Sequence, residues 1–125
     1  MNFSIELDHE QQIVRYRHWG DVHAEEIEAA WAEFMKLPEF TREGYNLLSD
    51  YSEGKFNIPM SHMPVIIEFL RDKAAVVKGK KQALVVSDSY AVAGSFLLQN
   101  KVVKAIGFRI GVYSTPEAAL DWLMS

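Results

Sequence analysis

The sequence predicts an α/β fold with a five-stranded mixed sheet that is mostly parallel, an N-terminal antiparallel hairpin and four helices. Two observations support this prediction. Short apolar segments that suit buried strands alternate with longer segments in which apolar residues recur at helical spacing. The first two apolar segments are joined by a short polar turn, which favours an antiparallel hairpin. At 125 residues, the chain is expected to form a single domain over residues 1–125.

The opening hairpin is predicted from alternation with a period of two. Apolar and polar residues alternate from Phe3 to Asp8 and again from Ile13 to Trp19, with a polar turn between them. In the second strand, Val14, Tyr16 and His18 share one face. We expect the first strand, as the antiparallel exception, to lie at or near an edge of the sheet.

The first helix is predicted to begin near His23, after Gly20 and Asp21 interrupt the second strand. Glu26 is placed to reach back to His23 in a capping box, while Asp21 is a competing N-cap residue. The helix ends before Pro38, because proline disfavours helix in the residue that precedes it. Its apolar face consists of Ile27, Ala30, Trp31, Phe34 and Met35.

A buried central strand is predicted at Tyr45–Leu48 and is expected to stop at Asp50. The segment from Tyr51 to Met63, here called the 51–63 connection, then leads to the next helix. It is longer than most connections in α/β domains, and such long connections are often lids or binding segments. Three roles are open to its apolar side chains: capping the core locally, lining an apolar pocket, or forming a contact surface. These side chains are Phe56, Ile58, Met60 and Met63.

The rest of the chain alternates helix and strand. A second helix is predicted from Pro64 to Val77, a buried strand at Gln82–Val86, and a third helix from Ser87–Ser89 to Asn100. Gly94 weakens that third helix by about 1 kcal/mol relative to alanine, which suggests a close helix–strand contact. The packed face of the third helix is predicted to contain Ala93, Phe96 and Leu97.

The chain is predicted to close with a strand at Ile106–Tyr113 and a fourth helix. Ser114 and Glu117 have the spacing of a capping box at the start of that helix, and Pro116 is tolerated in a first turn. The apolar side chains that follow require the helix to dock on the sheet.

Composition excludes several classes of protein. The net charge of -4 argues against a nucleic-acid-binding module, which needs clustered lysine and arginine. The chain has no cysteine, which removes disulfides and thiolate chemistry and is compatible with a cytoplasmic location. We expect no export signal and no membrane span, because the first twenty residues are too acidic and no apolar segment is long enough.

Polar residues gather where the predicted parallel strands end, which is where open α/β sheets bind ligands. Turn and cap formation is the first interpretation of these residues, as in most α/β folds. Asp50, Ser52 and His62 have the side-chain types of a nucleophilic triad, but no Gly-x-Ser-x-Gly motif surrounds a serine. The histidines show no metal-binding spacing, and no glycine-rich phosphate loop is present. We therefore predict no enzyme, no cofactor and no metal.

Four segments and the opening hairpin resemble a known group of proteins. The segments are Gly20–Glu26, Leu47–Asp50, Ala83–Val86 and Thr115–Leu123. Together with the order of elements, they are similar to the SpoIIAA-like fold of STAS domains and of lipid-binding CRAL-TRIO domains. Within that fold, the chain looks more like the small bacterial STAS/SEC14-like proteins of uncharacterised role. The resemblance covers nearly the whole chain.

The resemblance implies a fold and a general type of function. STAS relatives bind partner proteins, and some are switched by phosphorylation of a serine in an Asp-Ser-Ser-Gly pattern before a helix. The matching segment here runs from Asp50 to Gly54 and departs from that pattern, so the phosphoserine role is not transferred to Ser52. Ser61 is the better placed of the two serines for a phosphate, since it precedes a helix N-terminus.

Two functions are therefore predicted. The first is a non-enzymatic regulatory or protein-interaction module of the STAS type, with a protein partner or a homodimer. The alternative is a carrier of a small apolar or lipid-like ligand, as in CRAL-TRIO domains. For either function, the predicted binding residues are Asp50, Ser52, Phe56, Ile58, Met60, Ser61, His62, Met63, Ser87 and Asp88.

Overall fold

The computed structural model describes residues 2–125, apart from the side chains of residues 97 and 100–104. The strands are β1 (Phe3–Asp8), β2 (Ile13–His18), β3 (Gly20–Val22), β4 (Asn46–Tyr51), β5 (Gly54–Phe56), β6 (Lys81–Val86) and β7 (Arg109–Tyr113). The helices are α1 (Ala24–Phe34), α2 (Pro38–Thr41), α3 (Met63–Arg71), α4 (Ala74–Val77), α5 (Ser89–Ile106) and α6 (Pro116–Leu123), with a 3₁₀ turn, η1, at Met60–His62.

A five-stranded sheet in the order β1-β2-β4-β6-β7 forms the centre of the fold. Strand β1 is antiparallel to β2, and every other neighbouring pair is parallel. The predicted mixed sheet with an N-terminal hairpin at its edge is confirmed. The chain also contains a second sheet that the sequence analysis did not predict, a parallel pair formed by β3 and β5.

The prediction of four helices was wrong, since the described part of the chain contains six. The predicted first helix is followed by a separate short helix, α2. The predicted second helix is interrupted and forms two helices, α3 and α4. Pro38 does not only end the first helix; it occupies the first turn of α2, where a proline needs no amide hydrogen. The predicted second helix breaks at Lys73, whose φ of -105° and ψ of 14° separate α3 from α4.

Helices cover the two faces of the five-stranded sheet unequally. One face carries the larger core, in which Trp31 and Phe34 of α1 and Leu70 of α3 pack against the strands. The opposite face carries a smaller core, to which α6 contributes Ala119 and Leu123. Among the described residues, no helix combines the length and the hydropathy that a membrane crossing requires.

Helix α5 differs from its prediction in length and in its packed face. It runs past Asn100 to Ile106, and Gly107, with a φ of 71°, follows its last turn. Ala93 and Phe96 were predicted to pack inwards but are exposed, Phe96 by 50%. The buried side chains are instead Ala91 and Ser95, while the side chain of Leu97 lies outside the described residues.

Strand β4 continues beyond its predicted end. Asp50 does not stop it, because Asp50 pairs with Val85 of β6 and the ladder extends to Tyr51. Since side chains alternate across a strand, Tyr51 enters the larger core while Asp50 points to the other face. The cap of α6 also differs: Thr115, not Ser114, accepts a 3.2 Å hydrogen bond from the Ala118 amide.

Candidate functional site

The 51–63 connection is held against the rest of the molecule at two points. The first is the small sheet, in which Val22 of β3 pairs with Phe56 of β5. The Asn57 amide continues this pairing with a 2.9 Å hydrogen bond to the Val22 carbonyl oxygen. The second point is a 2.6 Å hydrogen bond from the Tyr90 hydroxyl to the carbonyl oxygen of Ile58. The 51–63 connection is therefore an ordered cover that is held to β3 at one point and to α5 at the other.

Beneath this cover lies a cavity of about 60 Å³. All four apolar residues predicted to cap the core, line a pocket or form a surface contribute to its wall. Helices α1, α3 and α5 and the central strands supply the remaining wall. The lining residues are Ile27, Trp31, Tyr51, Phe56, Ile58, Met60, Met63, Ile66, Phe69, Leu70, Gln82, Leu84, Tyr90, Gly94, Ser95 and Leu98.

Gly94 faces the methionine side chains that close the cavity. A Cβ atom at this position would lie 3.6 Å from Met63 Cε and 4.0 Å from Met60 Cε. A Cβ atom would thus be in ordinary van der Waals contact with the two methionine tips, and only a larger side chain would have to displace them. The predicted close helix–strand contact at Gly94 is wrong, since the nearest atoms outside α5 are the methyl groups of Met60 and Met63.

The cavity is apolar but not entirely so, and no charged residue lines it in the described part of the chain. Besides tyrosine and tryptophan, two buried polar side chains reach its wall, Gln82 from β6 and Ser95 from α5. Gln82 Nε2 donates a 2.9 Å hydrogen bond to Ser49 Oγ. Ser95 Oγ is buried and has no hydrogen-bond partner among the described residues. An apolar pocket with a few convergent polar groups is the usual form of a small-molecule site.

Behind the cavity wall, Tyr51 contacts a series of neighbouring polar side chains formed by Tyr16, His18 and Glu26. Its ring lies 5.6 Å from that of Tyr16, and the Tyr16 hydroxyl shares a hydrogen bond with His18 Nδ1. His18 Nε2 lies 3.3 Å from Glu26 Oε2. Burial lowers the pKa of the His18 imidazole, and the nearby Glu26 carboxylate only partly offsets this. Burial raises the pKa of both tyrosine hydroxyls, so Tyr16 and Tyr51 remain neutral hydrogen-bonding groups.

The predicted polar residues at the sheet edge form turns and caps. Asp50 Oδ1 accepts a 2.9 Å hydrogen bond from the Ser52 amide, and Ser87 Oγ donates one of 2.9 Å to the Ser52 carbonyl oxygen. Asp88 Oδ1 accepts one of 3.2 Å from the Tyr90 amide at the start of α5. These bonds stabilise local turns, as carboxylates and hydroxyls do at strand ends. None of these four predicted polar residues lines the cavity.

Ser61 and His62 lie on the outer side of the cover, in η1. Ser61 is exposed and His62 is half-buried, and neither lines the cavity. Among the described residues, no hydrogen bond joins His62 to Asp50 or Ser52, so the triad-like side chains are not assembled as a relay. The part of the chain that the structure describes also holds no cluster of three or more acidic or histidine side chains suited to a metal ion.

Sequence reasoning missed the larger part of the cavity wall. Trp31, Leu84 and Leu98 were predicted only as core positions or not singled out, because a wall residue and a core residue share the same apolar periodicity. Ser95 carried a usable signal, since a hydroxyl in the middle of an amphipathic helix is unusual on its packed face. The wrong packed face assigned to α5 concealed it.

No protein-family model matches the chain, and no curated protein matches its sequence. Solved structures do match. An uncharacterised DUF3478-family protein from Shewanella loihica PV-4, described as having a SpoIIAA-like fold, superposes with a TM-score of 0.65 at 12% identity, over 98% of this chain and 94% of that one. The anti-sigma factor antagonist SpoIIAA, in its unphosphorylated form, superposes with a TM-score of 0.56 at 16% identity, over 96% of each chain. The resemblance found in the sequence is thus confirmed for the fold, and this chain has the SpoIIAA-like fold.

Proposed function

We propose that the chain is a non-enzymatic, single-domain binding module whose site is the cavity beneath the 51–63 connection, and that its ligand is a small apolar molecule. One observation carries this proposal. The segment that the sequence singled out as too long and too apolar for a simple loop covers a cavity, and all four of its apolar side chains line it. From the sequence, protein interaction was the first prediction and ligand binding was the alternative. The cavity favours ligand binding.

The size of the cavity limits its ligand. At about 60 Å³, it is smaller than the roughly 150 Å³ cavity that admits benzene in an engineered protein. A ligand of that size has to displace the tips of Met60 and Met63. Methionine suits this task, because its unbranched chain has three rotatable bonds and repacks easily. A small apolar molecule therefore fits this site better than a long lipid does.

Benzene is a direct probe of this site. The full chain, labelled with ¹³C at the methionine methyl groups, is titrated with benzene and followed by NMR. We expect saturating shifts at Met60 and Met63, with no shift at Met124, which follows α6, is 54% exposed and serves as an internal control. Equal, non-saturating shifts at all three methyl groups would show only nonspecific contact and would refute the site.

A matched pair of substitutions on α5 locates the binding. Gly94→Leu places a side chain among the methionine tips and is expected to abolish the saturating shifts. Ala93→Leu adds the same side chain on the exposed side of the helix and is expected to leave benzene binding unchanged. If both variants bound benzene equally well, the proposed cavity would not be the binding site.

A second candidate function is a protein-interaction module of the STAS type. It is supported by apolar side chains on the outer surface of α5 and α3: Tyr90, Phe96 and Val65 are 40%, 50% and 50% exposed. A homodimer or a protein partner would cover them. Sedimentation of the wild type and of Phe96→Glu tests the homodimer, which the charged variant is expected to dissociate. A monomeric wild type at high concentration would eliminate this form of the proposal.

A further inference from the structure

The cavity wall contains a hydroxyl group that makes no hydrogen bond within the described part of the chain. Ser95 lies within α5, and its side chain is 3% exposed. A serine in this position usually donates to the carbonyl oxygen four residues earlier, here that of Ala91. Ser95 Oγ makes no such bond and has no partner among the described residues. A buried hydroxyl without a partner is destabilising, so its retention in the cavity wall needs an explanation.

Gln82 places a second polar group on the same wall. It is 4% exposed on β6, and its carboxamide is oriented by the 2.9 Å hydrogen bond from Nε2 to Ser49 Oγ. Ser49 is itself fully buried, so the pair forms a fixed polar element in the floor of the cavity. The cavity thus presents polar groups from both the sheet and α5, with apolar side chains between them.

The wall offers nothing to compensate a charge. In the described part of the chain, its polar members are serine, glutamine, tyrosine and tryptophan side chains, without a cation or a carboxylate. A charged ligand group would lose its hydration and gain no ion pair, which costs several kcal/mol in proteins by a rough estimate. A neutral hydroxyl or carbonyl group loses far less and can be satisfied by one hydrogen bond.

We propose that the cavity selects an uncharged amphiphile, a small apolar molecule with one hydroxyl or carbonyl group that hydrogen-bonds to Ser95 Oγ. This inference rests on the proposed function and adds the chemical class of the ligand. A hydroxyl in the ligand can donate to Ser95 or accept from it, whereas a carbonyl group accepts. The apolar part lies among the methionine, leucine and aromatic side chains.

Three probes of one shape separate the contributions: benzene, phenol and benzoate. Each is titrated into the full chain, as wild type and as Ser95→Ala, and the Met60 and Met63 methyl shifts give the dissociation constants. Phenol is expected to bind about three- to tenfold more weakly to Ser95→Ala, the loss of one neutral hydrogen bond. Benzene is expected to change by less than about twofold, because it makes no such bond. Benzoate is expected to give no saturating shift with either protein.

The substitution effect, not the ranking of the probes, is the decisive quantity. Phenol and benzene differ in hydration, and that difference cancels when the same probe is compared between two proteins. Ser95→Thr keeps the hydroxyl and is expected to restore part of the phenol affinity. A regain of phenol affinity in Ser95→Thr would show that the loss in Ser95→Ala comes from the missing hydroxyl and not from a change in cavity shape.

The outcomes separate this inference from the proposed function. If neither benzene nor phenol gave saturating shifts, the proposed function would fail and the inference with it. If benzene bound but Ser95→Ala weakened both probes equally, or neither, the ligand class would be refuted while the apolar site remained. If Ser95→Ala weakened neither probe, Ser95 would be assigned to an internal water molecule, which a cavity of this size can hold. Benzoate binding as tight as that of phenol would also refute the class.

Discussion

The Tyr90 hydroxyl on α5 donates a 2.6 Å hydrogen bond to the carbonyl oxygen of Ile58, which lies in the middle of the 51–63 connection. Ile58 is 7% exposed and lines the cavity, as does the Tyr90 ring. One hydrogen bond thus fixes the cover to the helix that forms the opposite wall. Movement of the cover away from α5 has to break this bond.

Tyr90→Phe tests whether this bond holds the cover closed. The variant loses one partly buried hydrogen bond, worth about 1 kcal/mol, so the amides of residues 57–63 other than Pro59 are expected to exchange about fivefold faster. Hydrogen exchange followed by NMR measures this. Tyr113→Phe, which removes a hydroxyl from β7, is the control and should leave these amides unchanged. Unchanged exchange in Tyr90→Phe would contradict the role of the bond.

His18 makes stability depend on pH. Its folded-state pKa is lowered by burial among Tyr16, Tyr51 and Phe3, with Glu26 as the facing carboxylate and His23 as a further positive neighbour when protonated. The unfolded chain therefore binds a proton on His18 more readily than the folded chain does. The contribution of His18 is fully present above its unfolded pKa, about 6.5, and is lost as the pH falls towards the lower folded value.

Urea unfolding of the wild type and of His18→Gln from about pH 8 to about pH 5 checks this sign. The free energy of unfolding of the wild type is expected to fall across that range. His18→Gln keeps a polar side chain without a titrating group, so its pH dependence there should be flatter. Carboxylates such as Asp8, whose pKa is also lowered, titrate mainly below this range and act equally in both proteins. Identical slopes for the two proteins would contradict a buried neutral His18.

The sheet could be predicted from sequence because its signals are local. Alternation from Phe3 to His18 and the apolar segment at β6 each determine a strand without reference to the rest of the chain. The β3–β5 pair could not be predicted in the same way. Its two strands have three residues each and lie more than thirty residues apart, and Gly20 and Gly54 at their starts are typical of turns.

The cavity was only half predictable for a related reason. An apolar connection has a local signal, so Phe56, Ile58, Met60 and Met63 could be singled out. The partner wall depends on which face of α5 turns inwards, and Phe96 and Ser95 occupy the opposite faces from those their hydrophobicity suggests. The buried face of α5 places Gly94 opposite Met60 and Met63, a tertiary contact that the sequence of α5 alone does not indicate.

Two buried serines are expected to respond in opposite directions to the same substitution. Ser95→Ala removes a hydroxyl with no partner in the described chain and adds a better helix former, so it should raise the free energy of unfolding by about 1 kcal/mol. Ser49→Ala removes the acceptor of Gln82 Nε2 and leaves a buried amide unpaired, so it should lower the free energy by about 1 kcal/mol or more. Urea unfolding of the two variants measures both. A destabilised Ser95→Ala would show that the Ser95 hydroxyl is satisfied within the fold.

Gly54 is required where β5 meets β3, because of crowding and not because of its backbone angles. A Cβ atom there would lie 3.0 Å from Val22 Cγ2 and 3.2 Å from the His18 carbonyl oxygen. Gly54→Ala is therefore expected to lower the free energy of unfolding by about 1–3 kcal/mol, the usual range for an overpacked site. Because the strain falls on the small sheet, exchange of the Asn57 amide, which bonds to Val22, should increase as well. Lys55→Ala, at the exposed neighbouring position, is the matched control and should change neither quantity. If Gly54→Ala were as stable as the control, the β3–β5 pair would be looser than this geometry requires and would not anchor the cover.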